Sequence, residues 1–309
     1  MTNKEIKISK TVRFDLQRRA VSHMTSASWQ NIPHVSYSYE PDITQLYEEF
    51  KKLAGKKKKL GKKLTFNTLL LKVIVEGLLA APDLNAFIEY NHMKSEGLVH
   101  ILENINISMP WLLPDGRMIT LTIPKAETLS LNDITDYMAA LSKKIEKTDV
   151  DELFYKLAFA DTVQELKRFH LSIIHRIVAS KITRYRVKGL GGKEKEDYYS
   201  IPDSERLIEK DVVSGTVTVS NVGSLYKEQK GSFALLEIIP PQVFAVGIGS
   251  VQERPGVYQL EAGKKEIGVR KILPMCLAFD HRAADFSSVI PFMKRLDLIF
   301  AEPEVIHKW

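Results

Sequence analysis

The segment that most constrains the fold is a short apolar run near the end of the chain, because it leads directly into charged residues. Met275-Cys276-Leu277-Ala278-Phe279 carries no charged side chain, and Asp280-His281-Arg282 follows it without a spacer. An apolar run of this length predicts a buried strand. The sequence therefore predicts a histidine held at the carboxyl end of a strand in the core of the protein.

Strand-like and helix-like segments occupy most of the remaining chain. The residue patterns predict strands over 35–39, 104–109, 117–123, 215–220 and 243–248. Helical spacing predicts helices over 13–24, 43–53, 65–79, 130–144 and 287–300, with Asn67 as a candidate cap of the third and Ser130 with Asp133 resembling a capping box in the fourth. Pro114-Asp115-Gly116 predicts the turn of a hairpin.

Residues 148–210 differ in character from the segments on either side. They contain a long basic amphipathic helix pattern over 163–182, and then a loop predicted over 189–200 because it is rich in glycine and charge. We interpret 148–210 as a helical and loop insertion within a single domain of residues 1–309. A helix that lies on a membrane surface is the alternative interpretation of 163–182.

The net charge of the chain, 44 − 38 = +6, is unevenly distributed, since eight lysines lie between Lys51 and Lys63. The simplest interpretation is a solvated loop between two helices. The alternative is electrostatic attraction of a partner that carries phosphate groups. No aromatic residue interrupts the run, and no nucleic-acid-binding module is recognisable, so we expect no nucleic acid partner.

Several functional classes are excluded by what the sequence lacks. The single cysteine, Cys276, rules out an internal disulfide and a multi-cysteine metal site, and the histidine spacings do not form a zinc site, so we expect no metal. No window has the roughly 18 apolar residues of a membrane span, and the N-terminus lacks a signal peptide, so we expect a cytoplasmic protein without membrane attachment. The glycine motifs of phosphoryl transfer and dinucleotide binding are missing.

Two side chains at strand ends are candidates for chemistry. Histidine is the residue type most often used as a general base near neutral pH, so His281 is one candidate, although on spacing alone a structural or exposed histidine is the simpler interpretation. Ser220, at the end of the strand over 215–220, offers a hydroxyl that can act as a nucleophile, as an oxyanion donor or as a turn cap.

Six motifs occur in the order found in one family, and the chain resembles the catalytic domain of the dihydrolipoyl acyltransferase component of 2-oxo acid dehydrogenase complexes. The resemblance covers about residues 8–147 and 211–309. It rests on Ile32-Pro33-His34, Pro82-Asp83-Leu84-Asn85-Ala86, Pro114-Asp115-Gly116, Thr218-Val219-Ser220-Asn221-Val222-Gly223, Pro240-Pro241-Gln242 with Ala245-Val246-Gly247, and Phe279-Asp280-His281-Arg282 with Asp285.

The resemblance implies an α/β fold, an α+β two-layer sandwich of the chloramphenicol acetyltransferase-like type, with a mixed β-sheet flanked by helices. It implies a CoA-dependent acyltransferase that moves an acyl group between a thioester and a thiol, either CoA or dihydrolipoamide. His281 is then the general base, Ser220 the oxyanion donor, and Asp285 holds the catalytic loop through an ion pair. The site is expected between subunits of a homotrimer, with the histidine and the serine from different chains.

Asn221, Arg282 and Phe286 are the expected substrate-binding residues, and Phe286 stands where the family has glycine. Only about seven residues precede the first matching segment, so we expect no lipoyl or subunit-binding domain. The lipoyl group would then come from a separate lipoyl-carrying protein, and coenzyme A serves as substrate. Two alternatives stay open: a non-catalytic trimeric assembly protein that kept the fold, and an antibiotic-type O-acetyltransferase.

Overall fold

The computed structural model describes residues 7–59, 63–157, 189–259 and 263–309. The chain divides into two compact units. One unit comprises Met1–Ala27 and Thr148–Pro202, and the other comprises Ser28–Lys147 and Asp203–Trp309. All the sequence motifs that carry the family resemblance fall in the second unit.

The described residues contain helices that we number α1 to α7 and strands that we number β1 to β10. The helices are α1 (Leu16–Asn31), α2 (Thr44–Lys59), α3 (Phe66–Ala80), α4 (Leu131–Glu146), α5 (Gly192–Ser200), α6 (Lys210–Val213) and α7 (Phe286–Ala301). The strands are β1 (His34–Tyr39), β2 (Ala86–Asn91), β3 (Glu96–Ile101), β4 (Ile107–Leu112), β5 (Met118–Ile123), β6 (Val217–Asn221), β7 (Phe244–Ile248), β8 (Gln252–Gln259), β9 (Lys265–Ile272) and β10 (Met275–Asp280).

Six of these strands form a mixed sheet in the order β1-β10-β7-β6-β4-β5. Strand β6 runs parallel to both β4 and β7, whereas β10 runs antiparallel to both β1 and β7. Because β10 and β6 run in opposite directions, their carboxyl ends lie at opposite edges of the sheet. This topology places the two candidate catalytic residues far apart within one chain.

The sheet is buried on both faces, which explains the continuous apolar run of β10. In the neighbouring strand β7, Phe244 and Val246 face the main core, which also contains buried residues of α2, α3, α4 and α7. Ala245 faces the other side and packs with Cys276 against Phe233 and nearby leucines. The prediction of a mixed sheet flanked by helices is confirmed.

Turn and cap chemistry agrees with most of the predicted boundaries. Ser130 and Asp133 form the capping box of α4, and Gly116 adopts a φ of 85° in the turn between β4 and β5. The cap of α3 is not Asn67 but Thr65, whose hydroxyl accepts the backbone N–H of Thr68 at 3.1 Å.

Two segments predicted as loops are helical. The lysine run was expected to form a loop, but α2 continues through it to Lys59. Lysine is a good helix former, and cations are favourable at a helix C-terminus, so no residue before Lys59 ends the helix. The predicted loop over 189–200 contains α5, because its glutamates and lysines favour a helix and the helix includes only the last of the three glycines that begin the segment. The helix predicted over 163–182 lies outside the described residues.

The unit formed by Met1–Ala27 and Thr148–Pro202 has its own buried polar centre. The carboxylate of Glu152, a residue with 2% exposure, accepts a hydrogen bond from the backbone N–H of Leu190 and another from the Tyr199 hydroxyl, both at 2.9 Å. These bonds join α5 to the helical residues 150–157 within the same unit. Whether the insertion belongs to a single domain of residues 1–309 stays a prediction.

Candidate active site

The turn after β10 presents His281 to solvent in one fixed orientation. Its ring Nδ1 lies 3.1 Å from the carbonyl oxygen of Ala284, and its backbone N–H donates to the carbonyl of Pro33. A carbonyl oxygen can only accept, so Nδ1 must carry the proton and Nε2 keeps its lone pair. The exposed imidazole is therefore set up as a base through Nε2.

A buried ion pair supports this turn from inside. Asp280 is completely buried, and its carboxylate accepts hydrogen bonds from Nη2 of Arg282 at 2.6 Å and from Nε at 3.0 Å. The guanidinium lies over the ring of Tyr90, 5.2 Å from its centroid. The planar guanidinium of Arg282 therefore contacts Asp280 along one edge and Tyr90 on one face, and its expected role in substrate binding stays a prediction.

Asp285 supports the turn as a helix cap. Its carboxylate accepts the Ser287 hydroxyl and the Ser287 backbone N–H at the start of α7. These hydrogen bonds, those of Ser287 first, hold the pKa of the Asp285 carboxyl below its usual value. Within the described part of the chain, the ion pair of this turn joins Asp280 to Arg282, and the expected ion pair of Asp285 stays a prediction.

Phe286 begins α7, and its ring packs on the ring of Tyr37 in β1, with centroids 5.1 Å apart. Both side chains are partly exposed. Phe286 therefore follows the turn that carries His281, and its ring contacts the edge strand β1.

Ser220 and Asn221 lie at the end of β6. The Asn221 amide donates to Oδ1 of Asn67 at 2.7 Å, and its own oxygen accepts the backbone N–H of Ser224. Asn221 therefore ties the strand end to the first turn of α3 and to the following turn. Among the described residues the Ser220 hydroxyl has no hydrogen-bond partner, so it is available to donate to an incoming group.

The pairing of residues in the sheet gives the separation between Ser220 and His281 within one chain. Ser220 and Cys276 both pair with Gly247, from opposite sides of β7. His281 follows Cys276 by five residues, so the two site residues differ by about 16 Å along the strands and about 10 Å across them. Within one chain, Ser220 and His281 cannot contact the same thioester.

Sequence reasoning left the role of His34 open, and the structure assigns it a supporting one. Its Nδ1 donates to the carbonyl of Ile32 at 2.9 Å, and its Nε2 accepts the backbone N–H of Ile238 at 3.1 Å. Both ring nitrogens are occupied by backbone groups. His34 therefore fixes the start of β1 to the segment that covers the sheet. Only the pattern Ile32-Pro33-His34 signalled this in the sequence.

Residues 7–59, 63–157, 189–259 and 263–309 contain no cluster of three His, Cys, Asp or Glu side chains placed to hold a metal ion. Within the same ranges, no helix has the length and apolarity needed to cross a membrane. Cys276 lies within β10 with its side chain buried, and burial raises the pKa of its thiol.

Comparison with known families gives one match that covers more than half of the chain. The family model described as 2-oxoacid dehydrogenases acyltransferase (catalytic domain) matches residues 7–152 and 193–307. A dihydrolipoyllysine-residue acetyltransferase component of the pyruvate dehydrogenase complex from Staphylococcus epidermidis is 23% identical over 296 residues, which are 96% of this chain and 52% of that protein. The chain thus spans about half the length of the curated relatives it matches.

Solved structures share the fold. The cubic core of the pyruvate dehydrogenase multienzyme complex superposes with a TM-score of 0.64 at 20% identity, over 98% of this chain and 96% of that one. A dihydrolipoamide acetyltransferase from Azotobacter vinelandii, solved to investigate a serine, a histidine and an asparagine in its catalytic mechanism, gives 0.63 at 20% identity over the same shares. At these identities the likeness establishes the fold.

Proposed function

The chain belongs to the family of 2-oxoacid dehydrogenase acyltransferase catalytic domains, and from that premise we propose that it transfers an acyl group between a thioester and a thiol. The observation that carries the proposal is the orientation of His281. Its Nδ1 proton is held by the carbonyl of Ala284, which leaves Nε2 as a proton acceptor on an exposed turn. A thiol has a pKa near 8.5–9, so a neutral imidazole in contact with it suffices to take its proton.

The proposed reaction starts with proton transfer. Nε2 of His281 takes the proton of the acceptor thiol, and the sulfur forms a bond to the thioester carbonyl carbon. The carbonyl π-electrons move to oxygen and give a tetrahedral oxyanion, to which the Ser220 hydroxyl donates a hydrogen bond. The intermediate collapses by breaking the bond to the donor sulfur, and the departing thiolate takes the proton back from His281. Atoms and charge balance without any further reactant.

The partner of His281 in this scheme is Ser220 of a neighbouring copy of the chain. Two residues about 16 Å apart along the strands cannot serve one carbonyl, so a complete site needs two chains. A closed ring of identical subunits repeats such a contact at every interface, and we propose a homotrimer. The solved structure that shares the fold is described as the cubic core of the pyruvate dehydrogenase multienzyme complex, and that description supports a symmetric assembly.

Coenzyme A is the proposed substrate at the Ser220 edge of the sheet. The exposed lysines near the end of α2, among them Lys56, Lys58 and Lys59, provide positive charge, and Lys63 follows them. Asn67, only four residues after Lys63, contacts Asn221 beside the hydroxyl. These lysines would attract the phosphate groups of CoA by long-range electrostatics. The second thiol is proposed to be dihydrolipoamide carried by a separate lipoyl protein.

The proposal is tested by measuring transfer directly. The purified protein is incubated with acetyl-CoA and dihydrolipoamide, and in a second reaction with acetyl-CoA and an isolated reduced lipoyl domain. We expect S-acetyldihydrolipoamide by mass spectrometry, with CoA released in equal amount. A protein that forms the trimer but produces no thioester with either acceptor would contradict the proposed activity.

A further inference from the structure

A cation–π contact reaches the turn after β10 from the β2–β3 hairpin. The guanidinium carbon of Arg282 lies over the ring of Tyr90, 5.2 Å from its centroid. Such contacts are attractive within about 6 Å of the ring centroid, and they are stronger where water is excluded. Only 16% of the Arg282 side chain is exposed, so this contact is largely shielded from water. The reaction described so far gives Tyr90 no part.

The hairpin itself fixes the direction of the Tyr90 ring. Tyr90 pairs with Gly97 across the hairpin, and a β-carbon on residue 97 would lie 3.1 Å from Cδ2 of the ring. The absence of a side chain at Gly97 therefore leaves the space that the ring occupies. The ring of His92 meets the Tyr90 ring edge to face, with centroids 4.9 Å apart. Two neighbours within the hairpin thus hold the ring that contacts Arg282.

The hairpin and the end of β10 are anchored to the same segment of chain. Ile88 in β2 donates its backbone N–H to the carbonyl of Pro241 at 3.0 Å. Two residues after Pro241, the carbonyl of Val243 accepts the backbone N–H of Asp280 at 2.9 Å. The backbone therefore holds β2 close to the end of β10, and the contact of the Tyr90 ring adds a side-chain link between them.

Arg282 is connected to the orientation of the imidazole through Asp280. The guanidinium donates to the Asp280 carboxylate from Nη2 at 2.6 Å and from Nε at 3.0 Å. The backbone carbonyl of the same aspartate accepts the N–H of Ala284 at 3.0 Å. Ala284 is the residue whose own carbonyl fixes the Nδ1 proton of His281. A shift of the guanidinium is therefore passed through Asp280 to the group that sets the direction of the proposed base.

We propose that Tyr90 is a positioning residue for His281, which acts by holding the guanidinium of Arg282 against Asp280. This inference rests on the proposed acyltransferase function and adds a residue to its site. The ring restricts the plane of the guanidinium, and the guanidinium in turn limits the movement of the turn. Tyr90 touches neither the substrate nor the reacting atoms, so its loss should lower kcat and leave KM nearly unchanged.

A second trio of tyrosine, arginine and aspartate provides a matched control. Arg270 lies over the ring of Tyr258, 4.7 Å from its centroid, and its Nε donates to the Asp42 carboxylate at 2.6 Å. This trio also involves a hairpin, β8–β9. Asp42 forms a bridge with Ile272, three residues before β10 begins, whereas His281 follows the other end of β10. The second trio therefore has the same chemistry without a connection to the catalytic turn.

The test measures kcat and KM for acetyl transfer from acetyl-CoA to dihydrolipoamide. Tyr90→Ala is expected to lower kcat by about three- to tenfold, the size of a partly desolvated cation–π contact, and to keep KM within about twofold. Tyr90→Phe keeps the ring face and should have nearly the kcat of the unmodified protein. Tyr258→Ala removes the equivalent contact and should keep normal kcat, even if the free energy of unfolding falls by a similar amount.

A double variant tests the route through Arg282. Arg282→Lys keeps the positive charge beside Asp280 and removes the planar group that stacks on the ring. In that background, Tyr90→Ala should lower kcat by less than about twofold, because the contact it would break is already lost. A further loss as large as that of the single variant would show that Tyr90 acts by another route, and the inference would be wrong.

Light scattering and denaturant unfolding of each variant separate positioning from folding and assembly. If Tyr90→Ala folds poorly, Tyr90→Leu keeps apolar bulk without a π face and should show the same loss of kcat. An unchanged kcat in correctly assembled protein, or an equal loss in Tyr258→Ala, would overturn the inference. A raised KM with normal kcat would also overturn it and would assign Tyr90 to substrate binding. If the unmodified protein transfers no acetyl group, the proposed function itself is wrong and the inference falls with it.

Discussion

The ends of β10 and β6 carry the two groups that the proposed reaction needs, and they are built in opposite ways. At the end of β10, hydrogen bonds fix the imidazole of His281, the guanidinium of Arg282 and the carboxylate of Asp285. At the end of β6, Asn221 is held on both sides, while the Ser220 hydroxyl has no partner in the described residues. This difference in hydrogen bonding fits the roles proposed for the two residues, a base at His281 and an oxyanion donor at Ser220.

A base must have its tautomer and direction set before the substrate arrives. An oxyanion donor must instead keep its hydrogen free for a charge that exists only during the reaction. The neighbouring Asn221 fixes the strand end through its own hydrogen bonds to Asn67 and Ser224, and these bonds do not involve the Ser220 hydroxyl. The comparison therefore predicts that substitutions at the two strand ends have different effects on kcat and on the free energy of unfolding.

The largest effect is expected from removal of the base. His281→Ala should lower kcat for acetyl transfer by about 10²- to 10⁴-fold, the usual range for a lost acid–base group. His34→Ala is not a suitable control, because it removes two backbone contacts. His307→Ala is better, since His307 is an exposed residue whose imidazole is hydrogen-bonded to Glu49, and it should keep normal activity. Equal activity of His281→Ala and unmodified protein would remove His281 from the mechanism.

The buried ion pair should affect stability more than chemistry. Arg282→Ala leaves the completely buried carboxylate of Asp280 without its partner, and such a change typically lowers the free energy of unfolding by about 3–5 kcal/mol. Denaturant unfolding of the purified variant measures this loss. Arg117→Ala, which breaks the exposed pair with Asp115, is the matched control and should cost less than about 1 kcal/mol. If both variants lose a similar amount of unfolding free energy, the buried Asp280–Arg282 pair does not stabilise the turn as proposed.

At the other strand end, Ser220→Ala should lower kcat by about 10²- to 10³-fold and leave KM nearly unchanged, because the hydroxyl acts only on the developing oxyanion. Unlike Arg282→Ala, this change should leave the unfolding free energy close to that of the unmodified protein, since the hydroxyl has no partner to lose in the described residues. A large rise in KM with normal kcat would instead assign Ser220 to ground-state binding.

The smallest effect is expected from the cap of α7. Asp285→Ala should lower the unfolding free energy by less than Arg282→Ala does, because it removes only the exposed N-cap of α7. The folded-state pKa of Asp285 is lowered, so its stabilisation is present above the unfolded pKa and is lost as pH falls through the folded pKa. Unfolding curves of Asp285→Ala and unmodified protein should therefore converge in acid. If the difference in unfolding free energy between the two proteins persists in acid, the charged carboxylate of Asp285 is not its cause.

The sequence predicted the parts that depend on short, unambiguous patterns. The apolar run of β10 and the capping box of α4 both stand where their residues indicate. It missed the β8–β9 hairpin, because Pro255, Gly256 and Gly268 look like loop residues. The structure places Gly256 opposite Gly268 and Pro255 opposite Val269 in a two-stranded sheet, where edge positions tolerate proline.

The candidate site was only partly predictable, for a physical reason. Local patterns identify His281 and Ser220, but the separation between them depends on strand order and direction, which short motifs do not encode. The contacts of Arg282 with Tyr90 and of Phe286 with Tyr37 join segments nearly 200 residues or more apart, so no local signal announces them.

The most direct test of the shared site mixes two inactive variants. His281→Ala and Ser220→Ala proteins are each assayed alone, and then unfolded together, refolded at equal ratio and assayed again. If each site takes its histidine from one chain and its serine from the neighbour, random trimers restore about a quarter of the unmodified activity. If both residues serve the site of their own chain, the mixture stays as inactive as its components, and the central claim is wrong.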